Sequence, residues 1–195
     1  MLICQETERK WQECVQRHGT TPAAYLDSLG LFEHGGGGYH CIWFTDEEIE
    51  LFLRKGLTAV TNPGSNTKLA SGIANTTAFL KHGVNMAIGT DGPASNNCLD
   101  MFREMFLVTG LGKLHDRDAS AVPAEEVLKM AVTGGAKAMG LTDCELPCRR
   151  QKGGSDYDRS EPAEYATYQQ PDEKPGIQRK QTECEDDHDQ RQDPL

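Results

Sequence analysis

Apolar residues fall into two rhythms up to Cys148 and then nearly stop. Short, mainly apolar runs at residues 1–4, 39–44, 57–60 and 84–88 predict buried strands. Helical periodicity fills the intervals, at residues 8–17, 22–29, 46–55, 73–82, 98–107, 123–130 and 134–139. Punctuation agrees with these spans. Thr21 and Pro22 open the second helix, Gly83 closes the fourth at 73–82, and Gly140 follows the last helix. In "TDEEIELFLRKG", Thr45 is the predicted N-cap, Glu48 its capping-box partner and Gly56 the stop. Met101, Met105 and Val108 form one apolar stripe. Gly35 to Gly38 reads as a loose connector and "TNPGSN" as a turn.

Strand and helix alternate, the rhythm of parallel βα units. Such units carry their chemistry at the carboxyl ends of the strands, in an open sheet or a barrel. Glu6 and Asp91 lie just past the ends of predicted strands, whereas His40 falls near the start of its own. Asp91 has two readings. It caps the turn "DGPAS", or it is a metal ligand or proton-transfer carboxylate whose charge is paired with a cation. His40 is either a satisfied core histidine or, facing a pocket, a group that polarises substrate or holds an attacking water. Glu6 reads as a first-turn helix acid unless a pocket claims it. His18, His34, His82, His115 and His188 are expected at the surface.

Composition divides the chain of 195 residues at the same point. Beyond Cys148 the only large aliphatics are Ile177 and Leu195, too few to offset the entropy of ordering that segment. Lys and Arg number 12 against 18 Asp and Glu up to Cys148, and 8 against 12 beyond it. An acidic balance on both sides argues against binding nucleic acid or an acidic membrane surface. With no apolar run of membrane-spanning length and no basic-then-apolar start, the cytoplasm is the expected compartment. Seven widely spaced cysteines suit reduced thiols there, and Cys144 with Cys148 lacks the second pair a zinc knuckle needs.

Four motifs, "QET" at 5–7, "YHCIWFTDEEIE" at 39–50, "NPGSNTKLASGIA" at 62–74 and "GTDGPASNNCLDMFREM" at 89–105, resemble the amidohydrolase superfamily. Within it they are similar to the cytosine deaminase-like branch, most nearly to 5'-methylthioadenosine/S-adenosylhomocysteine deaminases, over residues 2–141. The resemblance implies a (β/α)8 barrel with one divalent metal, usually zinc. It implies Asp91 as metal ligand and proton shuttle, Glu6 as the acid at a purine ring nitrogen, and His40 as the residue orienting the attacking hydroxide. The implied activity is hydrolytic deamination of an adenine-type nucleoside. Other amidohydrolase reactions, on guanine, cytosine or triazines, are the rival chemistry.

Two positions of the family pattern differ. Ile3 stands where the family has a histidine three residues before the acid matching Glu6, and no His-x-His occurs. Residues 1–147 are therefore expected to form the carboxyl-terminal half of a (β/α)8 barrel, strands five to eight with their helices. Residues 148–195 are expected to be a disordered acidic tail, and codons for 151–160 read one nucleotide later can spell the family's continuation, which points to out-of-frame translation. Half a barrel exposes sheet edges and an apolar face. Alone it is expected to self-associate and to show little activity, or to work by pairing with a separate amino-terminal half.

Overall fold

A computed structural model describes residues 2–4 and 7–141 of the chain, all within one compact unit. Glu6, Cys144, Cys148, His188 and the expected tail lie outside the described residues. Four strands, β1 (Leu2–Cys4), β2 (Gly37–His40), β3 (Thr58–Thr61) and β4 (Asn85–Ile88), form one parallel sheet in the order β1-β2-β3-β4. The winding never reverses. A sheet that adds each new strand on the same side by right-handed crossovers receives its helices on one face.

The packing shows which face. Ala59, Met86 and Ile88 point into a core built with Ile49, Leu51 and Phe52, Phe79, Val108 and Val127. Phe44 sets its ring edgewise on Phe52 and on Phe79, at centroid distances of 5.0 and 5.1 Å. Val60 and Ala87, on the opposite side of the pleat, are buried without joining that core. There Asn85 Nδ2 donates to Thr58 Oγ1 at 2.8 Å across the β3–β4 pair.

The helices are α1 (Glu8–His18), α2 (Pro22–Ser28), α3 (Asp46–Lys55), α4 (Pro63–Lys68), α5 (Thr76–His82), α6 (Pro93–Asn96), α7 (Met101–Asp116), α8 (Ala124–Lys129) and α9 (Gly135–Ala138). A π-helical turn, Met130–Gly134, joins the last two. The capping box of α3 forms as the sequence predicts, with Thr45 and Glu48 each satisfying the other's backbone N–H. Glu48 also accepts the Ala23 N–H of α2 at 3.1 Å, so one carboxylate ties two helices. The stripe on α7 packs as expected, with Val108 buried and Met101 and Met105 against the core.

Three expectations are corrected. The second strand is Gly37–His40 rather than 39–44. Gly37 and Gly38 are buried in the sheet, and a Cβ on Gly37 would overlap the Thr58 carbonyl oxygen. A glycine pair carries no apolar signal, so only the close approach of β3 reveals it as strand. The strand ends where His40 and Cys41 adopt φ of 69° and 49°, which moves His40 from the start of its strand to the carboxyl end. Second, "TNPGSN" is not a turn. Pro63 opens α4, because its fixed φ and missing N–H suit a first helical position. Third, α7 begins at Met101, where Asp100 accepts from Phe102 and Arg103 N–H, and runs on to Asp116. Of the histidines expected at the surface, His82 is half-buried, with Nδ1 2.8 Å from the Ala78 carbonyl.

Gly134 sits in the π-helical turn hard against β4, and a Cβ there would overlap the Met86 carbonyl oxygen. Gly110, inside α7, has nothing within 4 Å of the same position. Gly134→Ala is expected to destabilise by about 1–3 kcal/mol through overpacking, whereas Gly110→Ala is expected to stabilise by about 0.5–1 kcal/mol through helix propensity. Urea-unfolding midpoints of the two variants check the contrast.

Candidate active site

β4 is apolar through Met86, Ala87 and Ile88, then continues one residue further, with Gly89 N–H bonding the Thr61 carbonyl at 2.9 Å. Two residues later Asp91 adopts φ of 59°, a conformation that Asp tolerates better than most side chains. Its two oxygens divide the work. Oδ1 accepts the Gly92 N–H at 2.8 Å, which is the turn-capping role. Oδ2 accepts the Ser65 hydroxyl at 2.7 Å and lies 3.9 Å from His40 Nε2. The turn-capping reading is met by Oδ1, while Oδ2 faces Ser65 and His40.

His40 is 4% exposed and its Nδ1 lies 2.7 Å from Asn66 Oδ1. With an amide oxygen facing it, Nδ1 carries the proton, which leaves Nε2 directed towards Asp91. At 3.9 Å the two are an ion-pair distance apart, beyond hydrogen bonding. Asp91 itself is partly open, its side chain 31% exposed. Burial pushes its carboxyl up, but hydrogen bonds from Ser65, Gly92 and Ser95 and the nearby His40 outweigh this and hold it below the ordinary 3.8.

The structure thus brings together His40 and Asp91 of the residues singled out in the sequence. Glu6 lies outside the described residues. Ser65 and Asn66 belong to the site although their segment reads as a turn from sequence; the available signal was a polar pair directly after Pro-Gly at a strand exit. Asn62, at the same exit, is 1% exposed, and its Oδ1 has no hydrogen-bond partner. A small cleft lined by Thr61, Pro63, Asn66, Thr76 and Val108 lies beside α4 and does not include His40 or Asp91.

Zinc takes three or four protein ligands, usually His, Cys or carboxylate. Among the described residues no three such side chains converge. His40 and Asp91 alone do not make up a metal centre.

The amidohydrolase family model matches residues 4–144. The chain belongs to the amidohydrolase family. It is 46% identical over 134 residues to a 5-methylthioadenosine/S-adenosylhomocysteine deaminase of Caldanaerobacter subterraneus, covering 69% of this chain and 31% of that relative. A 5'-deoxyadenosine deaminase of Methanothermobacter thermautotrophicus is 43% identical over 70% of this chain and 32% of its own length. Among solved structures, an adenosine deaminase of Xanthomonas campestris with bound zinc superposes with a TM-score of 0.69 at 40% identity, over 73% of this chain and 32% of that one. An atrazine chlorohydrolase of Arthrobacter aurescens complexed with zinc shares the fold alone, with a TM-score of 0.67 at 21% identity. This amidohydrolase chain spans about a third of the length of the curated relatives it matches.

A carboxyl held below its ordinary value in the fold favours the folded state once it ionises. That contribution is complete above the unfolded pKa, near 3.8, and is lost as pH falls through the lower folded value. Asp116 and Asp118 are depressed as well, so the difference between wild type and Asp91→Asn isolates this group. Below about pH 4 the melting temperature of wild type is expected to fall more steeply with acid than that of Asp91→Asn. Thermal melts from pH 6 down to pH 2.5 measure it.

Proposed function

We propose that this chain serves the hydrolytic deamination of an adenine-type nucleoside, such as 5'-methylthioadenosine or S-adenosylhomocysteine, with His40 and Asp91 handling protons. The observation that carries this is the approach of His40 Nε2 to Asp91 Oδ2 at the carboxyl end of the sheet, in a chain of this family. Water adds to the ring carbon that bears the amino group and ammonia leaves, so a proton must pass from the water to the departing nitrogen. Asp91 Oδ2, the oxygen that faces His40, is the atom assigned to carry it. His40, fixed by Asn66 through Nδ1, orients the attacking oxygen with Nε2.

A carboxyl held below 3.8 is a weak base for water, since general bases work best with a pKa near the operating pH. The chemistry therefore calls for an electrophile besides these two side chains. In this reading Asp91 is one donor to a divalent ion, as the zinc in the Xanthomonas relative suggests, and the other donors are residues beyond those described. Glu6 takes the purine ring nitrogen. The sequential parallel sheet is read as the last four strands of a (β/α)8 barrel. Leu99, Phe102 and Phe106, exposed by 57, 44 and 58%, leave apolar surface on this piece. The adenosine-type relatives, at 40–46% identity, favour a purine nucleoside over a triazine, whose hydrolases stand near 21%.

Ammonia release from 5'-methylthioadenosine tests the assignment, using the full chain with zinc, alone and co-expressed with the first two thirds of the Caldanaerobacter deaminase. Little turnover is expected from the chain alone and clear turnover from the pair, reduced at least about 100-fold by Asp91→Asn. An inactive pair, or turnover that survives Asp91→Asn, overturns the proposal. Guanine, cytosine and a triazine in the same assay read the substrate class.

A further inference from the structure

Glu104 of α7 is completely buried, and both of its oxygens are engaged by residues outside its own helix. Oε2 accepts the Gly64 N–H at 2.7 Å. Oε1 accepts Asn96 Nδ2 at 2.8 Å, and the same Nδ2 donates to the Thr90 carbonyl at 2.7 Å. Arg103 Nη1, in turn, donates to Asn96 Oδ1 at 2.8 Å. The carboxylate therefore holds two anchor points. Gly64 directly precedes Ser65 and Asn66, which bond Asp91 and His40; Thr90 directly precedes Asp91.

We infer that Glu104 is the positioning residue of this site, setting the distance between His40 and Asp91 through its two arms. The Gly64 arm places the hydroxyl and amide that grip the pair. The Asn96 arm fixes the backbone from which Asp91 projects. The chain is built tightly around the carboxylate. A Cβ on Gly64 would overlap Glu104 Oε1 and come within 2.8 Å of Asn96 Nδ2. An amide cannot replace the acid. Gly64 N–H and Asn96 Nδ2 are both donors, and a glutamine has one acceptor oxygen, so its own NH2 would face a donor. The catalytic consequence rests on the deaminase reading, whereas the positional claim stands on the contacts alone.

The test reads His40 directly, in the full chain labelled with 15N. Long-range proton–nitrogen spectra separate its two ring nitrogens, Nδ1 on the Asn66 side and Nε2 on the Asp91 side. Glu104→Gln is expected to move both resonances at temperatures well below unfolding. Asn96→Ala cuts only the second arm and is expected to move Nε2 while Nδ1 stays. It also carries the test if Glu104→Gln does not fold. A lower melting temperature with an unchanged His40 spectrum in the folded variants overturns the inference and leaves Glu104 a packing residue. Resonances that move as expected, in a chain whose complemented pair proves inactive, uphold the positional claim and remove the deaminase reading instead.

Discussion

Ser65 donates its hydroxyl to the Asp91 carboxylate across the gap between two strand exits, at 2.7 Å. The remaining features of the site are arranged around that bond. It draws the connection after β3 against the connection after β4, and it brings Asn66, the next residue, to the ring of His40 after β2. Three consecutive strands thus contribute to one spot, at the end of the sheet where their side chains are no longer obliged to alternate between faces. A parallel sheet concentrates such groups at its carboxyl end because every connection there leaves in the same sense.

Maintaining a charge beside a buried strand requires that its desolvation be answered by donors. For Asp91 they come from Ser65, from its own turn and from the vicinity of His40, and together they outweigh burial. The outcome is a well-held carboxylate of low basicity. Glu104, one layer further in, likewise has both oxygens met by donors, on Gly64 and Asn96. Two carboxylates, one exposed in part and one fully buried, hence share the same two connections.

Membership of the amidohydrolase family rests on a match over residues 4–144, and the described fold covers nearly the same stretch. No helix among the described residues is long and apolar enough to cross a membrane. Leu99, Phe102 and Phe106 on and before α7 keep their apolar side chains exposed.

Local chemistry was legible in the amino acids by themselves. The capping box at Thr45 and Glu48, the stop at Gly56, the apolar run before Gly89 and the stripe on α7 each depend on neighbours within a turn or two, so spacing alone reveals them. The four motifs likewise pointed to Asp91 and His40 without coordinates. Tertiary structure decided what depends on distant partners. Gly37 and Gly38 are strand because β3 lies against them, and that shift carries His40 to the carboxyl end of the sheet. Ser65, Asn66 and Glu104 became part of the site through bonds spanning 26 to 40 residues, and hydrogen bonds of that reach leave no periodic trace in a chain.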